Sequence, residues 1–189
     1  MPGWRIHNKW AVKMGISADV ATWVNRLLDF PDSMLPLSAV LQLRSACELQ
    51  NVRSIHTLIH TKRWAFEMCV ELARERYGLQ GVHAVYLHRV LDYVAELLDS
   101  VRVARIKQLT SASRKYRGLP RLIRKRLISG YMKSKSVNPS SLNTGAIREL
   151  LNKWCAKWEV PMDVVIFVNE HLNEIIKDIV KEKAYKISH

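Results

Sequence analysis

Apolar residues recur at helical spacing over most of this chain, and the pattern predicts a succession of α-helices. Ser17 can cap a helix in which Val20, Trp23, Val24, Leu27 and Leu28 share one face, ending near Asp29, Phe30 and Pro31. Pro36 and Ser38 open a longer helical stretch that runs to Tyr77 and Gly78, with a break expected near Asn51. From Gly81 another helix begins. At 100° per residue its Val82, Tyr86, Val90, Val94 and Leu97 fall on one broad arc, with His88 and Asp92 together at the edge.

Residues 110–118 read as a polar, basic connection, and Pro120 starts a short helix bearing Leu122, Ile123, Leu127 and Tyr131. Residues 133–145 read as loop. Two helices close the pattern. Ile147, Leu150, Leu151, Trp154 and Trp158 mark the first, and after Pro161 the second buries Val164, Val165, Val168, Leu172, Ile175, Ile176 and Ile179. No repeat of solenoid length is visible.

Composition agrees with this reading. Seven glycines and six prolines are too few turn signals for the many short strands of a sandwich or barrel, while 48% hydrophobic residues suffice for a core. The expected fold is an all-α, single-domain helical bundle over residues 1–189, with a basic segment, 101–148, inserted between its halves. The three cysteines, Cys47, Cys69 and Cys155, are widely separated and odd in number, which predicts buried free thiols rather than a disulfide framework or a CxxC metal cluster. The N-terminal residues lack an apolar stretch of signal-peptide length and no apolar run reaches membrane-span length, so the expected location is the cytoplasm, with no membrane partner.

Charge changes the picture through its position. Thirty basic and seventeen acidic residues give +13, yet residues 101–148 hold thirteen Lys or Arg and no Asp or Glu, which leaves the rest of the chain neutral. So concentrated a cationic run matches a phosphate backbone, with Tyr116 and Tyr131 placed to stack on unpaired bases. The candidate nucleic-acid contacts are Arg102, Arg105, Lys107, Arg114, Lys115, Arg117, Arg121, Arg124, Lys125, Arg126, Lys133 and Lys135. A solvated basic face or an acidic protein partner is the alternative.

Candidate chemistry lies in the histidines. His56 and His60 are one helical turn apart and project from one face, as do His88 and Asp92; His171, Glu174 and Asp178 border one apolar stripe. Each pair alone is ordinary surface chemistry. Three helices each carrying one suggests a shared ion, because bundles build metal sites from ligands on facing helices. His83, about 140° around its helix from His88, points elsewhere. The chain has no GxGxxG, no GxxxxGK[ST] and no local serine or cysteine nucleophile motif, which argues against dinucleotide, P-loop and covalent chemistry.

The order of a Trp and His near the N-terminus (Trp4, His7), then HxxxH, then HxxxD, then a late helix with His and Glu resembles zinc-dependent phospholipase C and the S1/P1 nucleases, all-α enzymes that hydrolyse phosphoesters with a zinc cluster. Its late pair is spaced HxxE where those enzymes have HxxxE. No His-Asp doublet is present, so the HD phosphohydrolase signature is absent. HNKWAVKMGIS with VNRLLDFP, and YGLQGVHAVYLHRVLDYV, also resemble a group of small uncharacterised archaeal proteins of metal-dependent hydrolase-like type.

Together these imply zinc or another divalent transition metal held by His7, His56, His60, His88, Asp92 and His171, with Asp92 or Glu174 orienting water or accepting its proton. Two functions stand open: a metal-dependent phosphoester hydrolase that acts on nucleic acid, and a non-catalytic basic nucleic-acid-binding protein on a helical scaffold.

Overall fold

The computed structural model describes residues 2–115 and 144–188, with side chains described for 2–99 and 144–182. Among the described residues every regular element is an α-helix: α1 (Trp4–Lys13), α2 (Ala18–Asp29), α3 (Pro31–Met34), α4 (Leu37–Leu49), α5 (Ile55–Thr61), α6 (Arg63–Lys115), α7 (Thr144–Lys157) and α8 (Met162–Ser188). None is long and apolar enough to cross a membrane.

Several boundaries fall where local chemistry puts them. Ser17 caps α2 by accepting the Val20 N–H, and Ser54 caps α5 by accepting that of Thr57. The stretch after Pro36 breaks twice. Asn51 adopts a positive φ of 52° between α4 and α5, and Lys62 is extended between α5 and α6. Residues 110–115, read from sequence as connection, continue α6 as helix. Leu150, counted on the apolar side of α7, is 47% exposed.

The periodic pattern did not reveal α1, because its inward face is Ile6, His7, Trp10 and Ala11, a core stripe interrupted by an imidazole. Three contacts fix its direction. Gly3 N–H donates to Glu182, Lys9 pairs with Asp178 and Lys13 with Glu174, so the numbers rise on α1 as they fall on α8 and the two helices run antiparallel.

The hinge of the molecule is Gly78. Its φ of 58° with ψ of −139° lies in a region that essentially only glycine occupies, and here α6 doubles back on itself. The rings of Phe66 and Tyr86 are 5.3 Å apart, whereas twenty residues of straight helix would separate them by about 30 Å. Three residues past the hinge the arms meet closely. A Cβ on Gly81 would stand 2.2 Å from the carbonyl oxygen of Ala73.

Gly81→Ala therefore sets two effects against each other. Helix propensity favours alanine by about 1 kcal/mol. Overpacking against a backbone that cannot swing aside costs about 1–3 kcal/mol, and at this distance the clash should prevail. A urea unfolding midpoint equal to or above that of the wild type would show that the arms can part at little cost.

One buried cation holds three helices together. Arg89, 5% exposed, donates to the carbonyl of His60 on α5 at 2.9 Å and lies over the Trp154 and Trp158 rings of α7 at 5.4 and 5.7 Å. The three cysteines are buried and free, and burial pushes the Cys69 thiol up to about 12 and the Cys155 thiol to about 11.

Candidate metal centre

Four helices each turn polar side chains into one place. On α6, His88 and Asp92 are one turn apart and both face inward, 2% and 0% exposed. On α5, burial of Ile55, Leu58 and Ile59 turns His60 inward as well, and the Arg89 contact secures the backbone at that residue. His7 arrives on the buried face of α1. Asp29 comes from the last turn of α2.

Asp92 is the centre of the cluster. Its Oδ1 stands 3.4 Å from His7 Nε2, and its Oδ2 stands 3.3 Å from His88 Nε2 and 3.9 Å from His60 Nδ1. Asp29 Oδ1 is 3.7 Å from His88 Nε2 and 4.0 Å from His56 Nε2. The imidazoles of His7 and His88 stack, with centroids 4.0 Å apart and planes 8° from parallel. Two ligands of a tetrahedral ion bound at about 2.1 Å stand about 3.4 Å from each other. The shorter separations around Asp92 match that span.

None of the contacts to Asp92 is aligned as a hydrogen bond. Both Asp92 oxygens, both ring nitrogens of His7 and the Nε2 atoms of His60 and His88 are buried without a hydrogen-bond partner. Native proteins leave few such atoms, and an isolated buried carboxylate is among the costliest groups to leave unpaired. A cation among them would engage one nitrogen of each ring it binds and a carboxylate oxygen. Two triads have the spacing to hold one: His7, His88 and Asp92, and Asp29, His60 and His88.

The protonation states suit a ligand set. Burial, with the nearby Arg89 charge, pushes the His60 imidazole down to about 3, and burial together with His88 also lowers that of His7, so both offer neutral nitrogens near neutral pH. Burial alone would raise the Asp92 carboxyl. His7 and His88 together outweigh it and hold the group ionised, well below the usual carboxylate range.

Hydrogen bonds behind the cluster orient its members. His88 Nδ1 meets Asn25 Oδ1 at 2.8 Å; Asn25 Nδ2 donates to Asn8 Oδ1 at 2.7 Å, and Asn8 Nδ2 donates to Thr22 Oγ1 at 3.3 Å. Trp4 Nε1–H donates to Asp29 Oδ2, which leaves Oδ1 of that carboxylate facing the histidines. Asp29 and His56, 20% and 30% exposed, form the edge of the cluster open to solvent.

Of the residues expected from sequence, the structure gathers His7, His56, His60, His88 and Asp92. His171 and Glu174 lie elsewhere. His171 packs on Trp10 and Phe167, ring centroids 5.7 and 4.7 Å away, and the exposed Glu174 pairs with Lys13 at 2.8 Å, so the border of the α8 stripe serves packing and helix docking. His83 faces Asp163 on α8 at 3.9 Å, away from the cluster.

Asp29 and Asn25 were missed by sequence reasoning, and Trp4 entered it only with His7 in the resemblance to the zinc enzymes. The available signal was a polar Asn25 at the margin of the α2 apolar face, one turn before an acidic residue. Arg102, Arg105, Lys107, Arg114 and Lys115 fall on the distal part of α6; their side chains, with Arg117, Arg121, Arg124, Lys125, Arg126, Lys133 and Lys135, lie outside the described residues.

Fold and site thus define an all-α protein whose buried histidines and aspartates can hold a metal ion. No protein-family model, curated protein or solved structure matches this chain.

Proposed function

We propose that this protein is a metal-dependent phosphoester hydrolase that uses zinc or another divalent transition metal. The observation that carries the reading is the set of four histidines and two aspartates from four helices, centred on a fully buried carboxylate whose oxygens lack aligned donors. An ion in such a site supplies Lewis acidity, polarising a phosphoryl oxygen and acidifying water. His7, His88 and Asp92 would hold it from the buried side, with His60 beside them. Asp29, at the exposed edge with His56, would take the role that the sequence suggested for Asp92 or Glu174 and accept a proton from the attacking water.

Metal analysis of untagged protein tests the proposal, together with turnover of bis(p-nitrophenyl) phosphate before and after chelation. Stoichiometric transition metal and chelator-sensitive turnover are expected. Metal-free protein that cannot be loaded with zinc, cobalt or manganese would remove the enzyme reading.

The thirteen cations of residues 101–148 make nucleic acid the substrate class we favour, and they equally support a binding protein without catalysis. Neutralising Arg121, Arg124, Lys125 and Arg126 together is expected to weaken binding to DNA and RNA. It should also flatten the salt dependence, each lost phosphate contact removing roughly 0.7 to 0.9 from the slope of log affinity against log salt. A folded quadruple variant with wild-type affinity and slope would exclude this segment as the nucleic-acid surface. Metal-free protein that binds nucleic acid normally would favour the binding module.

A further inference from the structure

Asn25 stands apart from the histidines and aspartates of the cluster. It is 2% exposed, it carries no charge, and it offers nothing to a substrate that enters past Asp29 and His56. A buried carboxamide is costly to place in a core unless its donors and acceptor are matched. Here its amide and its carbonyl each have a partner. The Nδ2 atom donates to Asn8 Oδ1, Asn8 Nδ2 donates to Thr22 Oγ1, and the oxygen of Asn25 is the atom turned toward His88 Nδ1.

A carbonyl oxygen accepts and cannot donate, so the 2.8 Å contact requires a proton on His88 Nδ1. In neutral imidazole the lone pair is then on Nε2, the atom 3.3 Å from Asp92 Oδ2 and 3.7 Å from Asp29 Oδ1. His88 belongs to both triads able to hold an ion. Its tautomer therefore governs either mode of binding.

We propose that Asn25 is the positioning residue of the metal centre: held by Asn8, it fixes the tautomer and ring orientation of His88 so that Nε2 is the ligand nitrogen. This rests on the metal-centre reading above, but its first consequence belongs to the metal-free protein. Loss of such an orienting hydrogen bond typically weakens metal affinity by about 10- to 100-fold.

The test uses the full chain with three substitutions: Asn25→Leu, which removes the acceptor, Asn25→Asp, which restores it, and Asn8→Ala, which releases the Asn25 amide. Long-range nitrogen-proton NMR correlations of the histidine rings report the His88 tautomer without metal, and cobalt(II) titration reports affinity. Wild type should show His88 protonated at Nδ1. Asn25→Leu should show mixed tautomers with cobalt affinity about 10- to 100-fold weaker, and Asn25→Asp should recover the single tautomer and most of the affinity.

A folded Asn25→Leu protein with the wild-type tautomer and affinity would overturn the proposal. If that variant does not fold, Asn8→Ala decides: mixed tautomers support the proposal and an unchanged His88 overturns it. Wild-type protein that binds no cobalt yet shows the Asn25-dependent tautomer would sink the metal reading and leave Asn25 as the residue that orients His88.

Discussion

Asp92→Asn should leave the protein without stoichiometric transition metal and without phosphodiesterase activity, at unchanged helical content. The substitution keeps the shape of the side chain and removes only the charge. That charge lies between His7 Nε2 on one oxygen and His88 Nε2 and His60 Nδ1 on the other, so its loss is felt by three of the four histidines. A neutral amide cannot offset a divalent cation in a buried site, and one of its two polar atoms becomes a donor that the ion repels. His88→Ala combined with Asp92→Ala should have the same outcome, with the far-UV circular dichroism spectrum retained because α6 continues well beyond the site in both directions. Full metal content in either variant, measured by inductively coupled plasma spectrometry, would assign these residues to packing alone.

Chelation should lower the thermal midpoint of the wild type and leave that of Asp92→Asn where it was. At free metal a thousandfold above Kd, binding stabilises the folded state by about 4 kcal/mol, which for a chain of this size is roughly 8 to 16 °C. Acid should add to the effect of chelation. The folded-state pKa of His60 lies near 3 against an ordinary 6.5, and that of His7 is lowered too. Between those values the unfolded chain binds a proton that the folded chain refuses. Stability of the metal-free protein is therefore full above about pH 6.5 and falls as the pH drops from there toward 3. Asp92, held below its ordinary 3.8, acts in the same direction further down. Scanning calorimetry from pH 8 to 4, with and without chelator, checks both parts. Equal midpoints with and without chelator at pH 7.5 would mean that no ion stabilises the fold.

Much of the site was legible because helical spacing alone brings residues four apart to one face. His56 with His60 and His88 with Asp92 could be paired before any tertiary contact was known, and both pairs face the same cluster. That rule ends at the surface of one helix. Glu174 and Asp178, three and seven residues after His171, share its helix face as well, yet their carboxylates meet Lys13 and Lys9 along the α1–α8 seam.

Helix type, the Ser17 cap, the stop at Gly78 and the starts after Pro36 and Pro161 were determined by the sequence itself, because they depend on side chains and backbone within a turn of one another. Tertiary structure decided the rest. It folded α6 back at Gly78, laid α1 antiparallel on α8, and brought Asp29 and Asn25 of α2 against His88, sixty-three residues from Asn25 in the chain. Those choices follow from which apolar faces bury one another. A buried aspartate becomes distinguishable from a surface one only when the neighbours that exclude water from it have been placed.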